Sequence, residues 1–180
     1  MSRYFPPSGE VPVLETERLR LRCHRLEDFD ACAAIWADPI VVRFFGCSLL
    51  TKEEAWARML RYVGHWALLG FGFWAVEEAH SGEYVGDIGF ANLHRDIQPA
   101  LPDVPEIGWV LASRVHGKGY ATEAVRAATA WGDVRFAGSR TVCMIHPENV
   151  ASMRVAEKCG YREYERTSYR RQPIVLLSRG

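Results

Sequence analysis

Two rhythms of apolar and polar positions alternate along the chain, one with a period near two residues and one near three and a half. Residues 16–22, TERLRLR, alternate strictly and predict a strand. Residues 28–38 place Phe29, Cys32, Ala33 and Trp36 at helical spacing. A second helix opens at Thr51, where Thr51 and Glu54 match a capping box, and it continues through Trp56, Met59, Leu60 and Val63. Residues 71–79 return to strand alternation. An HSGE turn follows, and residues 84–93 predict the hairpin partner. Residues 94–105 carry Pro99, Pro102 and Pro105 and predict a loop on one side of the sheet. Residues 106–112 predict a strand. Residues 120–136 predict an alanine-rich helix with Val125, Ala128 and Trp131 on one side. A strand over 140–146 comes next, then a helix over 149–158 that Gly160 closes. Residues 161–170 and 173–178 predict the last two strands.

No repeat and no linker interrupts this order, so one domain is expected over 14–180, after a proline- and glycine-rich arm at 1–13. Strands and helices mix around a central hairpin. The architecture implied is α/β (α+β), a mixed but mostly antiparallel sheet of six to seven strands with about four helices on its faces. The run 106–146, strand–turn–helix–strand, reads as one right-handed crossover.

Composition narrows the classes of function. A chain of 180 residues with 48% hydrophobic content supports a single sizeable core. Lysine plus arginine and aspartate plus glutamate each total 22, for a formal net charge of zero. The basic excess of a nucleic-acid binder is absent, so no nucleic-acid partner is expected. No apolar run is long enough to cross a bilayer, and MSRYFPPSGEVP has no apolar signal region, so the expectation is a cytoplasmic protein with no membrane partner. The five cysteines, Cys23, Cys32, Cys47, Cys143 and Cys159, are scattered and form no CxxC pair. They read as reduced thiols rather than disulfides or ligands, and no metal is expected.

RVHGKGYATEA, residues 114–124, places two glycines and flanking basic residues where a helix begins. A helix start presents unpaired N–H groups and the positive end of the helix dipole. Glycines at 117 and 119 remove the Cβ atoms that would crowd a ligand lying on those groups. A phosphate or pyrophosphate fits such a cradle, and Arg114 and Lys118 are placed to add charge-assisted contacts. The alternative is a plain strand-to-helix turn. The stretch is neither a Walker A loop nor a GxGxxG dinucleotide fingerprint.

EIGWVLASRVHGKGYATEAVRAATAWG resembles the acetyl-CoA signature of the GCN5-related N-acetyltransferases (GNAT), whose [Q/R]xxGxG/A pattern is met by Arg114, Gly117 and Gly119. It most resembles the branch that acetylates N-terminal residues of ribosomal proteins (the RimJ/RimL type). NVASMRVAEKCGY, residues 149–161, is similar to that family's second motif, and TERLRLR fits its opening strand. The likeness extends over residues 14–178. It implies the GNAT acyl-CoA N-acyltransferase fold, acetyl-CoA as co-substrate, and an N-acetyltransferase acting by direct attack of a primary amine on the thioester.

The resemblance also implies roles. Pyrophosphate would lie on Val115, His116, Gly117, Lys118, Gly119, Tyr120 and Ala121. The strand segment Trp109, Val110, Leu111 and Ala112 would pair with the pantetheine arm. That segment would part from the strand over 140–146, and an N–H near Val110 would face the developing oxyanion. Asn149 would hold the arm, with a helix N-cap as its other reading. Glu106 is the first candidate for the base, against an ordinary solvated strand end; His146 is the second, with His94 and His116 behind it. The tyrosine that many members carry seven residues after the motif asparagine is replaced here by Ala156, and a frequent base position falls on Met144. Ser152 is the candidate donor to the leaving sulfur, against a solvent-facing helix serine. Cys143 reads either as a buried thiol or as a nucleophile, and its mid-strand position favours the first.

The two early helices and the 94–105 loop are expected to wall the acceptor. Trp36, Arg43, Phe44, Phe45, Trp56 and Trp66 lie there, either as core or as pocket lining, with Phe44-Phe45-Gly46 as a wall candidate. The expected partner is an amine acceptor, a small molecule or a protein N-terminus, with the chain a monomer or homodimer. The competing reading is a non-catalytic acyl-CoA-binding or protein-interaction module on the same fold. A nucleotide-binding module would need a base-recognition site, and the sequence offers none.

Overall fold

The computed structural model describes residues 10–46, 48–98, 100–101 and 103–180. Most of the expected arm, Cys47, Pro99 and Pro102 lie outside the described residues. Alternating segments become eight strands: β1 (Leu14–Glu15), β2 (Leu19–Arg22), β3 (Phe73–Glu78), β4 (Tyr84–Ala91), β5 (Glu106–Leu111), β6 (Thr141–Ile145), β7 (Arg162–Tyr169) and β8 (Gln172–Arg179). They form one sheet in the order β1-β2-β3-β4-β5-β6-β8-β7. Every neighbouring pair is antiparallel except β5 and β6. Seven strands lie where the periodicity predicts them, and the two-residue β1 is the addition.

The helices are α1 (Phe29–Trp36), α2 (Pro39–Val42), α3 (Lys52–Leu69), α4 (Tyr120–Arg135) and α5 (Val150–Lys158). The helix expected over 28–38 stops at Trp36. Asp38 then caps a separate turn by accepting from the Ile40 amide, with Pro39 in the first helical position. Consecutive strand residues point to opposite faces, and this shows how the helices are layered. Phe73 stacks on Tyr62 of α3 at 4.5 Å, while Trp74 meets Trp131 of α4 at 5.0 Å. The α3 and α4 helices therefore cover opposite faces of the sheet, with Trp66 near the C-terminal end of α3 reaching across to Trp74 and Trp131. The α1 helix packs with α3, and α5 with α4.

The capping box of α3 forms as read from the sequence. Thr51 Oγ1 accepts from the Glu54 amide, and the Glu54 carboxylate accepts from the Thr51 amide. Thr51→Ala is expected to cost about 1 kcal/mol, seen as a lower urea midpoint with an unchanged slope.

Buried charge ties the first half of the chain together. Arg22 donates through both terminal nitrogens to Asp28 at 2.8 Å and through Nε to Glu77 at 2.5 Å. Burial opposes the charged form of Asp28. The bonds from Arg22 and from the Arg25 amide outweigh it and hold the carboxyl below its usual range. The 94–105 loop is pinned rather than free. Ile97 is buried in a small second core with Ile174 and Leu176, and Gln98 bridges to Ser168 of β7. At residues 10–13, the last of the expected arm, Val11 packs on the main core and the Pro12 carbonyl accepts from Trp74 Nε1.

Candidate active site

The parallel pair β5 and β6 sets the site's position. Glu106 and Val142 are its one register pair, and the Val142 amide donates to the Pro105 carbonyl at 3.1 Å. Beyond that point β5 runs on to Leu111 and β6 to Ile145 with no further rung between them among the described residues. A wedge of unpaired backbone opens, as the family resemblance implies.

Parity decides which amides face this wedge. Ala112 donates to Val85 in the strand direction of β4, and Pro105 accepts from β6. The β4–β5 register is unbroken from Gly86↔Leu111 to Ala91↔Glu106. Amides alternate sides along a strand, so even-numbered positions of β5 face β4 and odd-numbered positions face the wedge. The Val110 amide is therefore committed to β4. The donors facing the wedge belong to its neighbours, Trp109 and Leu111. This moves the expected oxyanion donor off Val110 by one residue.

At the far end of β5, residues 113–115 make a short 3-10 turn and α4 begins at Tyr120. Gly119 caps α4 with φ 83°, and no side chain caps it. Glu123 donates the first helical bond to the Gly119 carbonyl, so the amides of Tyr120 and Ala121 precede that ladder. Gly117 has φ 78°, and a Cβ added there would meet nothing within 4 Å. The space over the turn is open, and the donor set suits a phosphate group.

The basic residues of the turn are placed differently from one another. Arg114 reaches away from it, pairing with Glu83 at 2.7 Å and donating to the Tyr84 carbonyl. Lys118 lies 5.9 Å from the Tyr120 ring centre. The guanidinium beside the cradle is that of Arg18, bonded to the Lys118 carbonyl and to Glu123. Sequence reading missed Arg18 because nothing in TERLRLR tells which strand end meets α4. The Tyr120 hydroxyl donates to Glu78, so this residue brings only its amide to the turn. His116 shares a hydrogen bond with the Leu111 carbonyl through Nε2.

A cavity of about 300 Å³ fills the wedge and extends under α3. Glu106, Trp109, Val110, His146, Asn149 and Ser152 all line it, while the 114–121 turn and His94 do not. Both Glu106 oxygens accept from Arg95, at 2.6 and 2.7 Å. Asn149 caps α5 by accepting from the Ser152 amide at 3.1 Å, which leaves its Nδ2 free to donate toward the cavity. His146 stacks on Phe44 at 5.5 Å, and its Nδ1 accepts from the Glu148 amide. That bond occupies Nδ1 and leaves Nε2 as the ring nitrogen available to a ligand. Cys143 is 2% exposed. Burial, with Glu106 nearby, pushes its thiol well above the ordinary range, which suits a buried thiol and not a thiolate nucleophile.

Of the expected acceptor wall, Trp36, Phe44, Phe45 and Gly46 do line the cavity. Trp56 packs edge-on against Phe29, Trp66 against Trp74 and Trp131, and Arg43 lies over Phe44. Sequence reading missed the arginines. Arg58 and Arg61 from α3, Arg95 from the loop and Arg170 from the β7–β8 turn all line the same cavity. The i, i+3 spacing of Arg58 and Arg61 on a helix expected to wall the acceptor was the available signal.

Among the described residues no group of three or more His, Cys, Asp or Glu side chains is placed to hold a metal ion, and no helix is long and apolar enough to cross a membrane. Residues 18–162 match the family model described as an acetyltransferase (GNAT) domain. The YkkB protein of Bacillus subtilis is 30% identical over 172 residues, covering 92% of this chain and 94% of the relative. The solved structure of a GnaT-family acetyltransferase from Bordetella pertussis is 32% identical with a TM-score of 0.83, over 94% of this chain and all of that one. An acetyltransferase from Agrobacterium tumefaciens is 25% identical with a TM-score of 0.80, over 98% of both chains.

Proposed function

The chain belongs to the GNAT acetyltransferase family, and from that premise we propose that it transfers an acetyl group from acetyl-CoA to a primary amine held in the wedge cavity. One observation carries this reading. The β5 strand leaves β6 after a single register pair, and its other end runs into an uncapped, glycine-opened helix start. A pyrophosphate on that start and a pantetheine arm along the odd-numbered amides of β5 would bring a thioester to the cavity.

In this mechanism the amine nitrogen attacks the thioester carbonyl, the C–S bond breaks, and the thiolate leaves with its electron pair. Holding both reactants in one cavity supplies much of the rate. The amides of Trp109 and Leu111 face the carbonyl oxygen as it gains charge. Glu106 orients the amine and takes its proton, using the lone pairs that Arg95 leaves unused. Asn149 Nδ2 donates to the arm. The Ser152 hydroxyl donates to the sulfur in place of the tyrosine that many members carry; at that tyrosine's position Ala156 is fully buried in the core. His146 Nε2 is the ring nitrogen available at the acceptor end. Both a small-molecule amine and a protein α-amine of the ribosomal-protein branch are acceptors of this chemistry.

The test is a calorimetric titration with acetyl-CoA, run beside ADP and NAD, followed by thiol release with a panel of amines. Binding of acetyl-CoA alone together with amine-dependent thiol release supports the reading. Glu106→Gln is expected to lower kcat about 100-fold with acetyl-CoA affinity within twofold of wild type. Unchanged turnover across pH 6–9 removes Glu106 as the base. The paired state of Glu106 favours one second reading, a non-catalytic acyl-CoA-binding module. That module would bind acetyl-CoA and release no thiol with any amine.

A further inference from the structure

The acceptor end of the cavity carries a charge that the whole chain does not. Four arginines line it, Arg58, Arg61, Arg95 and Arg170, against a single acidic residue, Glu106. That carboxylate is already bound by Arg95 through both oxygens. Among the described residues Arg58, Arg61 and Arg170 form no ion pair with any carboxylate. Arg58 lies 3.8 Å over the Trp36 ring, and its Nε is buried without a hydrogen-bond partner. Its guanidinium also interacts with the Tyr62 hydroxyl, which places it at the inner wall of the cavity.

The cluster is built from distant segments. Arg95 and Arg170 flank one ring, lying 5.1 and 5.3 Å from the Tyr169 centre. Arg61 and Arg170 are exposed at the cavity mouth; desolvation and the field of Arg58, then more weakly those of Arg95 and Arg170, lower the Arg61 pKa against Tyr62. Arg170 and Arg171 both adopt positive φ, 50° and 65°, in the two-residue β7–β8 turn. That geometry favours Asn and Gly, so an arginine pair held there carries backbone strain.

The cluster is not the phosphate cradle. Arg95 is bonded to the first residue of β5, whereas the glycine turn follows its last, about 17 Å away at roughly 3.3 Å per residue. A cationic amine such as a polyamine would meet four like charges there. We propose that the acceptor is a small amine that also carries an anionic group, a carboxylate or a phosphoryl, held by Arg58, Arg61 and Arg170 while its nitrogen faces Glu106. This rests on the acetyl-transfer reading for its chemistry but not for its binding. A cavity of about 300 Å³ is within the size range of small-molecule sites.

The test is calorimetry on the full chain saturated with CoA, using matched pairs: leucine against leucinamide, and 2-aminoethylphosphonate against ethanolamine. Thiol release from acetyl-CoA is followed with the same four compounds and with an uncharged peptide N-terminus. The anionic member of a pair is expected to bind at least about tenfold more tightly. Arg61→Gln and Arg170→Gln are each expected to remove most of that preference and leave CoA affinity unchanged. Anion-selective binding without thiol release would sink acetyl transfer and uphold the site. Equal or weaker binding of both anionic members, no binding at all, preference retained in both variants, or faster acetylation of the uncharged peptide would each overturn the proposal.

Discussion

Asp87→Ala is expected to destabilise the folded chain by about 3–5 kcal/mol, more than any other single change considered for this protein. Asp87 sits mid-strand in β4 with no solvent exposure, opposite Val110 in the register. Its Oδ1 contacts His24 Nε2 at 2.7 Å and accepts from the Tyr84 hydroxyl at 2.5 Å. Removing the carboxylate leaves two buried polar groups with no acceptor, each costing about 1–3 kcal/mol, and opens a small void beside Cys32. The measurement is chemical denaturation of wild type, Asp87→Ala and Asp87→Asn. Asparagine keeps an acceptor and should recover part of the loss. A fall below 1 kcal/mol in the alanine variant would show that the network is not what holds β4 to the residues around His24. Because β4 carries the β5 register, partial loss should also weaken acetyl-CoA binding.

Gly117→Val is expected to raise the acetyl-CoA dissociation constant about 100-fold, a change of roughly 2.7 kcal/mol in binding free energy. Two effects act at this position. Valine is strained at φ 78°, and its side chain would stand in the open space over the α4 start where a phosphate would lie. The new Cβ touches no protein atom within 4 Å, so the cost should fall on the ligand more than on packing. Gly138→Val separates the two effects. Gly138 has φ 72° and equally open surroundings, but it lies in the turn after α4. That variant should lose similar thermal stability with acetyl-CoA affinity unchanged. If Gly117→Val binds acetyl-CoA within twofold of wild type, the cradle is elsewhere.

Several features of the site were legible one segment at a time. The Thr51–Glu54 box, the Asn149 cap and the glycine-opened helix start each depend on residues within a few positions of one another and all three are present, although Arg114 turns away from the last. The strand boundaries followed the two-residue period closely, except where the short β1 pairs with β2. Asn149 illustrates why two readings could coexist: its oxygen caps α5 while its amide nitrogen remains available.

Other features had no local signature. Arg114 and Arg18 lie far apart in sequence. Only the meeting of the strand end with α4 places Arg18 beside the turn, while the β3–β4 hairpin draws Arg114 away. Whether Val110 or its neighbours face the wedge depends on parity, which a single cross-strand bond to Val85 sets. The sequence by itself determined the order of elements, the glycine-opened helix start and the family, because each rests on periodicity or short spacing. Only the tertiary structure decided where β5 leaves β6, which amides that exposes and that arginines from α3, a loop and a hairpin turn share one cavity, because register and convergence are properties of strand pairing between distant segments.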